Sequence, residues 1–326
     1  MMFLLKTDLI IRVLVLQILM IISGQAIILI MQNISEDIIM SIITSIFQAI
    51  FQAICRIFPI SETAHSAVFH DFSGRFSGAC SSLTGVVHIG IAVGIVAASY
   101  RLFLKMGYEF FSTGRDIVKK QLRGNAPSQP RHFMYMTLMS FCPMLLWLIP
   151  CGRYGLLYNV LRSTQFNKTL LDESVFLALT GGLLFAGALQ IAKANIPRQI
   201  SEIASVSVGV ASVVLIPVSG FSFIGVVFSM LLLFGASKKQ SLNYALVMSV
   251  PVLVVTGIVE IVVSVTKVGV VPIIIGVILS AVVSYFSVVF LRYIINRGYL
   301  KYIAAYDVAM GIIILVVGIF ELIFRK

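Results

Sequence analysis

Apolar residues run through this chain in long blocks, not in the narrow stripes or strict alternation of soluble helices and strands. About 20 such residues cross a hydrocarbon core about 30 Å thick. The blocks predict spans at 9–31, 79–100, 133–151, 175–193, 241–266, 268–291 and 305–324. Two further blocks are cut by proline. Residues 38–69 are apolar up to Pro59, polar from Ser61 to His65 and apolar again to Phe69, and residues 203–236 repeat the pattern around Pro217. Proline cannot donate a backbone hydrogen bond and disfavours helix in the residue before it. Each block therefore reads as a helix-turn-helix that dips into the membrane and returns to the side it came from. Irregular backbone at that depth must be buried in protein or line a cavity.

The two dips echo each other at a spacing of 158 positions: LIPVSGFSFIGVVF (Leu215 to Phe228) follows the order of IFPISETAHSAVF (Ile57 to Phe69). Proline-broken segments in corresponding halves point to an inverted repeat whose site forms where the two breaks meet. Charge sets the orientation. The connection from Arg101 to His132, read as a loop, carries seven Lys or Arg against Glu109 and Asp116, which places it inside. Threading outward from that loop also puts Lys193, Arg198, Lys238, Lys239, Arg292, Arg297 and Lys301 inside, while the 152–174 loop falls outside. The first dip then opens outward and the second inward.

With 59% hydrophobic and 11% charged residues over 326 positions, the chain has too little polar surface for a soluble globule. The class is an all-α polytopic integral membrane protein with an inverted-topology repeat and two re-entrant helix pairs. Residues 1–37 form an extra N-terminal helix and turn, uncleaved. Residues 38–324 form one transmembrane domain: a first repeat at 38–151, a second at 175–291 and a closing helix at 305–324. The net charge of +11 follows the positive-inside rule and implies no nucleic-acid partner. Cys55, Cys80, Cys142 and Cys151 show no metal-ligand spacing and read as packing residues.

The chemistry concentrates in Gln52 to His65, QAICRIFPISETAH. A cation (Arg56), an anion (Glu62), two hydroxyls (Ser61, Thr63) and a histidine lie at bilayer depth, where a charge costs about 2.5–3.5 kcal/mol on insertion scales. Such groups face a polar cavity or one another. Elsewhere, His88 reads as a packed, hydrogen-bonded histidine, and Glu260 as a residue that snorkels, pairs or relays protons. His70 and His132 read as solvated. Tyr100, Tyr108, Tyr293, Tyr299 and Tyr302 read as interfacial belt anchors.

Pro59-Ile60-Ser61 with Thr63 and His65, the span VVHIGIAVGIVAASYR (Val86 to Arg101) and the closing SYFSVVFLRYIINRGYLKYIAAYDVAMGIIIL (Ser284 to Leu315) resemble the undecaprenyl pyrophosphate phosphatase family, also called bacitracin-resistance proteins. The resemblance runs from about residue 40 to the C-terminus. It implies two opposed re-entrant pairs in a multi-pass protein of the bacterial plasma membrane. It also implies hydrolysis of the polyprenyl diphosphate carrier to the monophosphate plus phosphate, for carrier recycling in cell-wall synthesis. The first family motif, Glu/Gln-x-x-x-Glu followed by Pro-Ile/Val-Ser-Ser-Ser/Thr-Gly-His, is kept at Gln52, Pro59, Ile60, Ser61, Thr63 and His65. Arg56 stands for its second Glu, Glu62 for its second Ser and Ala64 for its Gly. The second motif, Pro-Gly-x-Ser-Arg-Ser-Gly-x-Thr, keeps Pro217 and Ser222, with Val218, Gly220, Phe221, Phe223 and Gly225 at its other fixed positions.

Carried over by position, the resemblance makes Ser61, Glu62 and His65 the catalytic candidates. Gln52, Arg56, Thr63, Ser219 and Ser222 become substrate-binding candidates. In a rewired site Arg56 holds the diphosphate, Glu62 orients His65 or a water, and Ser61 or His65 attacks. In the plainer alternative Arg56 and Glu62 pair and neutralise a former active site. Family members suggest Mg²⁺ or Ca²⁺, but the carboxylate pair is incomplete here, which leaves the cofactor open. The implied partners are a polyprenyl (di)phosphate lipid and the bilayer, and a homodimer is compatible with both. If active, the chain is a membrane hydrolase; the rival is a protein that binds or translocates polyprenyl phosphate without cleaving it.

Overall fold

The structure, a computed structural model, describes residues 42–66, 81–119, 128–154, 157–163, 170–193, 198–264 and 269–324. The predicted first span at 9–31 lies outside them. The first dip is α1 (Ile42–Ile57), a turn through Pro59, and a short α2 (62–66). Then follow α3 (Ser81–Ala98), α4 (Tyr100–Val118), α5 (Gln129–Phe141), a 3₁₀ turn (Pro143–Leu148), α6 (Leu157–Ser163) and α7 (Leu171–Lys193). The second dip is α8 (Glu202–Leu215) and α9 (Phe223–Leu233), and three long helices close the chain: α10 (Lys238–Val263), α11 (Val270–Asn296) and α12 (Leu300–Phe324). No strand occurs among the described residues.

Lengths decide which helices cross. Four helices are long and apolar enough to span: α7, α10, α11 and α12. The 18 residues of α3 reach about 27 Å and supply the span expected at 79–100. By contrast α8 (14 residues) and α9 (11 residues) are each too short to cross, as a re-entrant pair requires. Each half of the chain thus opens with a broken pair followed by a span, α1–α2 before α3 and α8–α9 before α10. Those two spans pack directly on each other, and α9 sits between α7 and α10. Residues Phe223 to Ser229, with Leu231 and Leu232, are buried, so α9 is covered all round by protein. Serines set the helix starts: the side chains of Ser128, Ser201, Ser222 and Ser237 accept from the backbone N–H of Arg131, Ala204, Gly225 and Gln240.

Two sequence expectations change. The connection from Arg101 is no loop but the 19-residue α4, turned by 86° from α3 at Ser99. Its polar face is held to α5 by Arg131, which donates to Glu109 at 2.9 Å and Ser112 at 3.0 Å and pairs with Asp116 at 2.9 Å. The block at 133–151 is not one span either. Cys142-Pro143 ends α5, and the chain continues as a 3₁₀ turn because proline removes the donor that the next helical turn needs.

Close packing of α3 depends on missing side chains. A Cβ at Gly90 would meet Ser280 Oγ and lie 2.6 Å from the Val277 carbonyl, and one at Gly94 would strike Ser284 Oγ and the Ala281 carbonyl, both on α11. Small residues let membrane helices approach closely. Gly94→Ala is expected to cost about 1–3 kcal/mol, the usual penalty of overpacking. Gly114→Ala on α4, where a Cβ meets open space, should cost nothing. Thermal unfolding in detergent checks both; equal behaviour of the two variants would sink the packing argument.

Candidate functional site

Both broken helices end inside the protein, so the polar groups at their ends must find partners there. In the first tip Pro59 is buried, the chain turns, and Ser61 Oγ accepts from the Ala64 N–H at 3.1 Å, capping α2. In the second, Ser222 Oγ caps α9 and the Ser222 N–H donates to Thr180 Oγ1 at 3.3 Å. The tips meet at one bond, the Gly220 N–H donating to Thr63 Oγ1 at 2.6 Å. Gly220 has φ +98°, and a Cβ there would lie 2.9 Å from Glu173 Cα and Phe176 Cβ. Only glycine fits both the turn and the contact. Phe176 also packs on Phe221, the rings tilted by 31° with centroids 4.5 Å apart. Ser219 Oγ donates to Glu173 Oε1 at 3.2 Å.

Behind the first tip runs a chain of four ionisable groups. Arg56 Nη1 donates to Glu62 Oε2 at 3.1 Å. Glu62 Oε1 lies 3.5 Å from His88 Nε2, and His88 Nδ1 lies 3.0 Å from Glu260 Oε2. The two histidine contacts are at ion-pair distance but are not aligned as hydrogen bonds. With His88 protonated, charges alternate from Arg56 to Glu260 and cancel, the arrangement in which such groups cost least at bilayer depth. Gln52 is buried beside this chain; its Nε2 donates to Thr84 Oγ1 at 3.4 Å while its Oε1 has no partner among the described residues.

His65 faces elsewhere. Its Nδ1 lies 2.6 Å from the Ser61 carbonyl, which can only accept, so Nδ1 carries a proton. In the neutral ring Nε2 then offers a lone pair and accepts from the Tyr306 hydroxyl at 2.8 Å. Both residues stand at the end of an apolar groove of about 630 Å³ lined by Ile43, Ile46, Ile50 and Ile54 of α1.

All the predicted site residues therefore lie in or beside the two tips. Arg56 and Glu62 join the charged chain, Gln52 lies beside it on Thr84, Thr63 joins the tips, and Ser61 and Ser222 serve as caps. Glu62 faces Arg56 and His88, not His65, whose orientation comes from the Ser61 carbonyl and Tyr306. His88 and Glu260 join the site although the sequence assigns them no role in it. Their signal is that each is an isolated ionisable residue inside an apolar span. Tyr306, Thr84, Thr180 and Glu173 carried no such signal.

Comparison with known proteins accords with this geometry. A family model described as "Bacitracin resistance protein BacA" matches residues 45–313, including both tips and every helix from α3 to α11. The chain belongs to the bacitracin-resistance protein family. Among curated members it is 26% identical over 277 residues to an undecaprenyl-diphosphatase of Halothermothrix orenii, covering 82% of this chain and 95% of that protein. It is 25% identical over 270 residues to an undecaprenyl-diphosphatase of Geotalea daltonii, covering 81% and 93%. The divalent cation suggested by family resemblance does not fit the donors present. Glu62 is the carboxylate of the first tip and is already engaged by a guanidinium and an imidazole. No group of three or more His, Cys, Asp or Glu that could hold a metal occurs among the described residues.

Two predictions follow from these contacts. In a double-mutant cycle, Arg56→Ala and Glu62→Ala should couple by about 1–3 kcal/mol, with the double variant losing less than the sum, because either single change strands a buried partner. Strict additivity in thermal unfolding would show that the pair is not formed. Thr63→Val keeps the shape but orphans the Gly220 N–H, at a cost of about 1–3 kcal/mol. Hydrogen exchange should speed up at Gly220 and not across α9 as a whole.

Proposed function

We propose that this chain is a plasma-membrane hydrolase of bacteria that takes a polyprenyl diphosphate and releases its terminal phosphate. The observation that carries the reading is the groove along α1: an apolar channel that ends on the His65 Nε2, whose only hydrogen-bond partner among the described residues is the displaceable Tyr306 hydroxyl. A prenyl chain suits the groove, and a headgroup at its end reaches His65. The names of the relatives agree with this substrate class.

In the proposed reaction Nε2 of His65 takes a proton from a water as the water oxygen attacks the terminal phosphorus. The bond from that phosphorus to the bridging oxygen breaks, and its electron pair leaves on the polyprenyl monophosphate. Tyr306 yields Nε2 when the headgroup enters. Arg56 turns from Glu62 to bind the phosphate oxygens. Ser61 is the weaker nucleophile candidate, since it is fully buried and its oxygen is held by the Ala64 N–H and by Thr63 Oγ1 at 3.1 Å.

One observation favours a second reading, recognition of a polyprenyl phosphate without cleavage. Arg56 is closed onto Glu62, and Phe221, at the family's arginine position, packs on Phe176 instead of offering a charge.

Phosphate release from a polyprenyl diphosphate by the purified protein in detergent separates the two. Hydrolysis predicts that His65→Ala lowers turnover by about 10²–10⁴-fold, the usual contribution of a general base. Ser61→Ala should instead cost about 0.5–2 kcal/mol of stability, as a lost helix cap does, and leave most of the turnover. No release by the wild type, with the lipid still bound and binding lost in Arg56→Ala, would replace hydrolysis by recognition.

A further inference from the structure

At the end of α3 away from the tips, the first turn of α10 and the last turns of α11 close around a second cavity, of about 410 Å³. Among the described residues its lining includes four cations, Arg101, Lys238, Lys239 and Arg292, beside Ser99, Asn243 and Asn296, and no carboxylate. Arg292 is fixed in place, donating to the Ala98 carbonyl at 2.8 Å, Ser99 Oγ at 2.7 Å and Asn243 Oδ1 at 3.4 Å. Every one of these acceptors is neutral, so among the described residues the guanidinium is held without a counter-charge. Arg101 leans on Tyr100, its Nε donating to the hydroxyl at 3.0 Å, which is again a neutral partner. Four like charges around one concavity repel each other, and field lines focused there draw in an anion.

The position of the cavity says which anion. Ser99 lies eleven residues beyond His88, about 16 Å along the helix, and Lys238 lies 22 residues before Glu260, about 33 Å. The cavity therefore lies well away from the charged chain, toward the membrane face that the cation distribution marks as inside. Immediately at its wall the chain turns by 86° into α4. There Leu104, Phe111 and Val118 are 67%, 76% and 83% exposed, interleaved with Lys105, Arg115 and Lys119. That combination suits a helix lying in the headgroup layer, which sets the mouth of the cavity at headgroup depth. Ala98, Leu102, Leu242 and Ile295 add an apolar wall that suits the start of a lipid tail.

We propose that this cavity binds the phosphate of an anionic membrane lipid on the inner face, as a site separate from the tips. The inference does not rest on the hydrolase reading.

The test uses the full chain in nanodiscs or detergent. Native mass spectrometry compares retention of phosphatidylglycerol with phosphatidylcholine in the wild type, in Lys238→Gln/Lys239→Gln, and in Arg115→Gln/Lys119→Gln, which removes the same charge from exposed α4 outside the cavity. The proposal expects a clear preference for phosphatidylglycerol, weakened about thirtyfold in the Lys238/Lys239 variant and far less in the α4 control. Arg292→Gln should abolish the preference, but that residue ties three helices together, so the lysine pair carries the decision. Absence of a preference, or equal losses in the two double variants, would overturn the site in favour of diffuse surface charge. Displacement of the bound lipid by millimolar inorganic phosphate or pyrophosphate would reassign the cavity to a free phosphate and overturn the lipid as occupant.

Discussion

A helix that stops halfway through a membrane leaves carbonyls and N–H groups with no water to bind, and the rest of this architecture answers that constraint. The two broken helices satisfy each other. Thr63 Oγ1 receives the Gly220 N–H from the opposite tip, Ser61 and Ser222 cap the returning helices, and Thr180 of α7 receives the Ser222 N–H. Everything else encloses this junction: α7 and α12 pack together on one side, and α10 and α11 pack against α3 on the other. The glycines of α3 bring that helix close enough to present His88 to Glu62 and Glu260. The site is thus a by-product of making irregular backbone tolerable at bilayer depth.

The same constraint explains why the altered motif residues form a linked set. Arg56 and Glu62 both depart from the family pattern, and they contact each other. An arginine introduced alone at position 56 would be a partly buried charge without a partner. A glutamate introduced alone at position 62 would share the single His88 imidazole with Glu260, two carboxylates on one possible cation. Together they are tolerable, and His88 and Glu260 extend the balance by one more pair. Phe221 makes a comparable accommodation in the second tip, where an aromatic contact with Phe176 fills space that needs no counter-charge.

Much of this was legible in the sequence because it depends on local rules. Pro59 and Pro217 cut their apolar blocks where the helices break, and the long blocks at the C-terminal end became α10, α11 and α12 with small shifts at their ends. Charge alone hides α4, whose signal is periodicity: Leu104, Tyr108, Phe111 and Val118 recur at helical spacing among the cations. The block at 133–151 was apolar enough to pass as a span, yet Pro143 acts there as it does at the tips. What no local rule reveals is the meeting of positions 157 residues apart, as at Thr63 and Gly220, or the choice of Tyr306 as the partner of His65. Those contacts depend on how helices pack, and packing is decided by the whole chain.

On the hydrolase reading, and equally on the recognition reading, a phosphate approaching Arg56 must compete with Glu62. Were the two an isolated pair, drawing the guanidinium away would leave a carboxylate bare in a low-dielectric interior, a cost of several kcal/mol. They are not isolated. Glu62 keeps the His88 imidazole at 3.5 Å, and His88 in turn keeps Glu260 at 3.0 Å. The competition for Arg56 is therefore between two anions, one of which retains a second partner. Arg56 can turn toward a ligand while Glu62 keeps its contact with His88. This gives the chain of four groups a role that a simple Arg–Glu pair could not fill: it makes the one cation of the first tip available to a phosphate.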